Sequence, residues 1–169
     1  MTERLPEVLL GMNMFVGGDT YMAKVTKLQL SAPKPITKEV NSPGLGGAIE
    51  VNTRKWTKAE PMFTVQGYVP KLMAMVGNPA SIEEPVTFIG VMGADQEQTV
   101  EVEVSGLWKD PEYGDWETDA NATSDYKIAA REYQIKIEGK EVFYIDYESN
   151  EVRVDGVNVN AELNKRLRA

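Results

Sequence analysis

Glu101 and Glu103 stand two residues apart in a stretch that alternates polar and apolar residues, so both carboxylates project from one strand face. A pair of carboxylates is the equipment of glycoside hydrolysis. No aromatic residue flanks them on that face to stack a sugar ring, and a solvated acidic surface is the better reading. Asp115-Trp116-Glu117-Thr118-Asp119-Ala120-Asn121 has the alternating oxygen donors that open a calcium loop. Its sixth position is Ala120 rather than glycine and its twelfth is Tyr126 rather than a bidentate glutamate, so it too reads as a solvated loop. Gly44-Leu45-Gly46-Gly47 lacks a phosphate-cradling lysine and a strand-to-helix setting; it reads as a flexible tip. Trp108 and Trp116 are expected as core or interface anchors rather than sugar platforms.

Composition closes most of the remaining chemistry. The chain has 169 residues with no histidine and no cysteine. That removes the commonest general base, the commonest metal ligand, thiolate nucleophiles, disulfides and Cys-ligated metals. No catalytic residue, cofactor or metal is therefore expected, and the chain reads as not an enzyme. The net charge is −8 and unevenly spread: residues 95–151 carry five Lys/Arg against sixteen Asp/Glu. An acidic middle argues against gripping nucleic acid, which needs a basic footprint. No apolar run reaches membrane-spanning length, and Met1–Glu7 lacks the apolar stretch of a leader, so folding in the cytoplasm without membrane insertion is expected.

The elements that must position these residues are mostly strands, and no domain boundary interrupts residues 1–169. Met12–Val16 reads as a strand, Gly17-Gly18-Asp19 as a turn, and about Tyr21–Leu30 as a second strand. Pro33 and Pro35 force an extended, unpaired segment. A polar, glycine-rich excursion over about 39–58 reads as two weak strands around the tip Ser42–Gly47. Pro61–Gly67 is a strand. Val69, Leu72, Met73 and Val76 fall on one face of a short helix begun by Pro70 and stopped by Gly77, too short to stand undocked. Val86–Ala94 reads as a buried strand. In Thr99–Lys109, Val100, Val102, Val104, Gly106 and Trp108 share one face, and Glu101, Glu103 and Ser105 the other. Asp110–Ser124 is an acidic loop. Glu151–Val154 is a short strand. Asn160 is expected to cap a terminal helix in which Leu163 packs on Leu167 and Glu162 pairs with Arg166.

Residues 127–146 carry the sharpest local expectation. With Glu138-Gly139 as a two-residue hairpin loop, Lys136 lies opposite Glu141 and Arg131 opposite Asp146. The same register sets Ile135 against Val142 and Tyr133 against Tyr144. Moving the loop on by one residue would oppose Glu138 to Glu141. Arms of about ten residues exceed the typical strand of ~5–6, and such long amphipathic strands need a large surface to lie on.

Taken in order, these pieces resemble the major tail tube proteins of contractile-tailed bacteriophages and the tubes of R-type bacteriocins. Asn13-Met14-Phe15-Val16-Gly17-Gly18 is similar to the family's opening strand and turn, and Leu28-Gln29-Leu30-Ser31-Ala32-Pro33-Lys34 to its second strand and proline exit. Glu132 to Asp146, followed by Val154-Asp155-Gly156-Val157-Asn158, is similar to its closing hairpin and final turn. The resemblance implies a mainly β, barrel- or sandwich-like tail tube fold with one short docked helix and a short C-terminal helix. It implies hexameric rings stacked head to tail into a hollow tube that conducts DNA inside a contractile sheath. Partners would be copies of the chain, the sheath, baseplate and tail terminator proteins, and tape measure protein and DNA in the lumen. The place would be the virion, after synthesis in the host bacterial cytoplasm.

The family uses the excursion between rings, which makes Pro33, Lys34, Pro35, Ser42, Gly44, Leu45, Gly46, Arg54 and Trp56 candidates for that contact. The doubled proline exit and the Ser42–Gly47 tip depart from the family's pattern, as does the basic close Lys165–Ala169. A conduit must not bind its cargo, so Glu101, Glu103 and Ser105 are the lumen-facing candidates. The alternatives are the tube of an R-type bacteriocin or secretion-type machine and, more remotely, a monomeric β-sandwich binding module or carboxylate enzyme.

Overall fold

The computed structural model describes residues 7–168. The leader-free reading of Met1–Glu7 lies outside that range except for Glu7, as does the final Ala169 of the basic close.

Period-two patterning gives twelve strands among the described residues. β1 (Val8–Val16) turns through Gly17 and Gly18, both left-handed, into β2 (Asp19–Thr20). β3 (Val25–Gln29) starts later than the patterning predicts, because Tyr21 first accepts backbone bonds from Lys24 and Val25 in a turn. β4 (Pro35–Val40) and β5 (Ile49–Trp56) come next, then β6 (Met62–Gln66). Helix α1 (Pro70–Met73) and a 3₁₀ turn (Pro79–Glu83) lead to β7 (Val86–Gly93). β8 (Gln98–Tyr113), β9 (Thr123–Ile137) and β10 (Lys140–Asp146) form the long meander. β11 (Glu151–Val154), β12 (Val157–Asn158) and α2 (Ala161–Leu167) close the chain.

Ten of these strands make one antiparallel sheet in the order β12-β11-β10-β9-β8-β7-β1-β2, with β6 also on β9 and β3 on β6. β8 occupies one edge of β9 throughout; the other edge serves β6 along 123–127 and β10 along 132–137. The sheet therefore branches at β9, and the branches curl over a shared core into a barrel-like sandwich. At its centre Phe63 meets Phe88, Trp108 and Tyr126 at ring separations of 5.4, 5.3 and 5.5 Å. Val102, Val104 and Trp108 reach it from the apolar face of β8, as the alternation predicts. Gly106 on that face is needed for close approach: a Cβ there would lie 2.1 Å from the Ala129 carbonyl oxygen, beside the bulge where β8 and β9 shift register.

Five expectations are corrected. First, α1 spans four residues, not eight. Beyond it the chain tightens to i→i+3 bonds (Met75 to Leu72, Val76 to Met73). At three residues per turn Leu72 and Met75 align and are buried, while Met73 is exposed. Second, the proline exit is paired from Lys34, which bonds Thr57, and Pro35 opens β4 opposite Trp56, a strand start where its missing N–H costs nothing. Third, the acidic loop begins at Gly114, since a register shift between Lys109 and Glu112, with Asp110 left-handed, carries β8 on to Tyr113.

Fourth, the closing hairpin keeps its predicted turn, with Glu138 and Gly139 at φ 52° and 75°, and its Lys136–Glu141 pairing. A bulge at Val142 then shifts the rest, so Phe143 faces Ile135, Ile145 faces Tyr133 and Asp146 faces Glu132. Arg131 is not opposite Asp146; it binds Glu148 at 2.8 Å. The extra residue turns Phe143 and Ile145 inward in place of Val142 and Tyr144, so the two larger apolar groups take the core and the tyrosine hydroxyl stays outside. Fifth, Asn160 precedes α2 but its side chain does not cap it, and Leu167 is exposed rather than packed; the Glu162–Arg166 pair does form, at 3.1 Å.

Candidate functional site: assembly surfaces

Strands β4 and β5 pair only with each other, as a ribbon outside the main sheet. Opposed residues share a face, so Lys38 with Val51 and Val40 with Ile49 make one side, and Thr37 with Asn52 and Glu39 with Glu50 the other. The ribbon is thus amphipathic, yet Val40, Ile49 and Val51 are 38–51% exposed. The candidates Ser42, Gly44, Leu45 and Gly46 form its exposed tip, closed by a Leu45 N–H to Ser42 carbonyl bond of 2.9 Å.

The other contact candidates sit at the ribbon's base and are tied into their own chain. Lys34 and Thr57 exchange backbone and hydroxyl bonds of 2.9 Å next to Pro33 and Pro35. Trp56 packs on Phe143 at 5.5 Å. Arg54 is left-handed at a bulge supported by Asn52, and its guanidinium donates to the Val159 carbonyl at 2.8 Å. Below it Asn160, fully buried, donates to Asn150 and to the Arg54 carbonyl, while Asn150 and Asn164 bond each other. The sequence reading missed this asparagine anchor. Its only local signal is polar residues beside a turn, which loops share.

Glu101, Glu103 and Ser105 lie on the polar face of β8, half-buried between neighbouring strands. Across the sheet Glu101 opposes Lys136, which opposes Glu141; Ser105 opposes Glu132, which opposes Asp146, which opposes Glu151. Desolvation first, and then the carboxylates of Asp146, Glu103 and Glu148, push the Glu132 carboxyl above the usual range. Arg153 offsets part of this charge: its Nε is 3.0 Å from Glu141 and its guanidinium lies over the Tyr144 ring. Glu141 also accepts from Gln134 at 2.6 Å, so Arg153 and Gln134 hold it rather than the opposed Lys136. The dent beside Glu103, Ser105 and Glu132 measures about 20 Å³, room for about one water and far too small for a sugar.

The acidic loop carries a third surface. Trp116 is 84% exposed and donates its Nε1–H to the Tyr68 hydroxyl, which also stands beside Tyr113, at a ring separation of 5.7 Å. Trp108, by contrast, is core. Among the described residues no three acidic side chains gather as a metal cluster would, the 115–121 loop included.

An acidic sheet face, an uncovered amphipathic ribbon and exposed aromatic rings on a β-barrel-like frame are the marks of a structural building block. The chain belongs to the phage tail tube protein FII family, whose profile matches residues 6–167. It is a structural tail tube protein. Its fold is shared with the sheath/tube terminator of an extracellular contractile injection system, PVC, in the extended state, at TM-score 0.60 and 12% identity over 80% of this chain and 99% of that one. The sheath-tube complex of the same system matches at TM-score 0.56 and 10% identity, over 75% of this chain and 88% of that one. A chain of the anti-feeding prophage baseplate matches at TM-score 0.50 and 8% identity, over 80% of this chain and 97% of that one. No curated protein matches in sequence.

Proposed function

We propose that this chain is the structural subunit of the inner tube of a contractile tail, acting as a single domain over residues 1–169. Hexameric rings stack head to tail into a hollow tube that conducts DNA and is driven through the host envelope when the sheath contracts. One observation carries the reading: among the described residues the β4–β5 ribbon leaves Val40, Ile49 and Val51 on its apolar face exposed and pairs with no other strand. Membership of a tail tube family supplies the setting. The partners are copies of the chain, the sheath, baseplate and terminator proteins, and tape measure protein and passing DNA in the lumen. The chain is made in the bacterial cytoplasm and ends in the virion, and it performs no catalysis. The same subunit geometry serves a bacteriocin or secretion-type tube, and capsid and packaging genes beside its own would separate the two.

Glu101, Glu103 and Ser105 face the lumen in this reading. The acidic row Ser105–Glu132–Asp146–Glu151 across β8 to β11 supports it, since negative charge on a wall repels phosphates and lets DNA slide. Electron microscopy of concentrated protein should show rings or rods; a persistent monomer overturns the proposal. Changing Glu101 and Glu103 to lysine should leave rods that retain DNA or release it slowly. Normal release from such rods removes the lumen assignment while leaving the tube.

A further inference from the structure

We infer that the apolar, lysine-bearing face of the β4–β5 ribbon docks on the Tyr68–Tyr113–Trp116 patch of a second copy of this chain. The inference rests on the tube reading above and deepens it by naming the surface that receives the ribbon.

The two surfaces match in character. The ribbon face carries Val40, Ile49 and Val51 around Lys38. The patch sets the exposed rings of Tyr68, Tyr113 and Trp116 beside the end of β8, with Asp110 and Glu112, and the loop after it, with Asp115, Glu117 and Asp119. Residues 34–58 hold five Lys/Arg against two glutamates, whereas 110–119 hold five carboxylates and no cation. An apolar face with lysines therefore meets rings with carboxylates. Ammonium groups over aromatic faces and flanking acids are attracted by both. The Trp116 to Tyr68 hydrogen bond holds the indole in place before docking, and tryptophan and tyrosine are the side chains on which contact energy concentrates.

Within one chain the two surfaces lie towards opposite ends of β9. The ribbon's base packs through Trp56 on Phe143, which is opposite Ile135 near one end of β9. The patch adjoins the other end, where Gly114 bonds the Thr123 carbonyl. Twelve residues of strand separate them, roughly 40 Å, while an eight-residue ribbon strand extends roughly 27 Å. The occupant is therefore another copy. Because the two surfaces differ, each copy offers one and fills one, a head-to-tail contact that propagates along a stack instead of closing as a dimer.

Two readouts test the pairing. Iodide quenching of Trp116, isolated as the difference between the native chain and Trp116→Phe, should be strong in the dissociated subunit. In assembled rods it should fall to the level of buried Trp108. The chain has no cysteine, so Asn41→Cys copies mixed with Thr118→Cys copies should form a disulfide between the two variants on mild oxidation of rods. Adding Trp116→Ala to the second variant should abolish it. Rods in which Trp116 stays quenchable overturn the docking and leave the tube standing. Rods with a shielded Trp116 but no such disulfide overturn the ribbon as its occupant. A chain that forms no oligomer at all overturns the tube reading, and the docking falls with it.

Discussion

The β8–β9 pair and the β4–β5 ribbon are both antiparallel and both amphipathic, and they end in opposite states. β8 and β9 bury Val102, Val104, Trp108, Ile128 and Tyr133 almost completely. The ribbon fully buries none of its apolar residues, with Val40, Ile49 and Val51 38–51% exposed. The difference lies in what each hairpin packs against, since their patterning is alike. A long strand such as β9 recruits β6, β8 and β10 along its two edges, whereas an excursion bracketed by Pro35 and a bulge at Arg54 is steered off the sheet. Stability belongs to the first region, and the association proposed above to the second.

The largest expected effect breaks the first region. Trp108→Ala removes the ring shared by Phe63 and Tyr126 and should cost about 3–5 kcal/mol in urea unfolding of the subunit. Val51→Ser on the ribbon should stay within ~0.5 kcal/mol in the same assay and yet abolish rods in the electron microscope. Equal loss of stability from both changes would erase the contrast.

Alkali should separate the regions next. Burial pushes the Tyr126 and Tyr133 hydroxyls up to about 12, against an ordinary value near 10. A folded pKa above the unfolded one favours the protonated phenol in the fold. Its stabilisation is full below about pH 10 and is lost as pH rises through 12. The urea midpoint should therefore hold to about pH 10 and fall beyond it, with Tyr133→Phe reducing the slope. Residues 35–56 contain no tyrosine, so this loss originates outside the ribbon.

Amide exchange sharpens the comparison from the other side. An isolated two-stranded ribbon is marginal in water, so the amides of β4 and β5 should exchange fast in the free subunit and slowly in rods, while β8 and β9 are protected in both. Unchanged ribbon protection on assembly would count against its role between rings.

The smallest effect concerns the closing hairpin. Arg131→Glu should weaken folding slightly, and Glu148→Arg should restore part of it, within the ~0.2–1 kcal/mol of an exposed pair. Asp146→Arg should restore nothing; coupling to Asp146 would put back the bulge-free register.

What was legible in the sequence follows from range. The alternation in Thr99–Lys109 gave the buried and polar faces of β8 correctly, because a two-residue period needs only neighbours. The Glu138-Gly139 turn was legible for the same reason. The bulge at Val142 was not: one inserted residue leaves local patterning intact and is chosen by whether Phe143 or Val142 fills a core built from distant strands. The α1 inner face failed similarly, since helical spacing over eight residues cannot foresee a switch to three residues per turn. Among the contact candidates, Ser42–Gly46 sit free at the tip as expected, while Arg54 and Trp56 are engaged by Val159 and Phe143, partners about a hundred positions away in sequence.

The bulge at Arg54 has a consequence for the life of the subunit before assembly. A ribbon with two unpaired edges and an apolar side is a template for sheet growth, the route by which soluble proteins turn into fibrils. Here one edge starts with a proline, Lys38 interrupts the apolar side, and the Thr53–Arg54 insertion twists the strand so that a second ribbon cannot lie flat against it. Removing that insertion would straighten the ribbon and offer a regular ladder to any passing copy. The irregularity thus sets a sorting rule for the proposed contact: a twisted ribbon disfavours pairing with other ribbons and is kept for a shaped receptor.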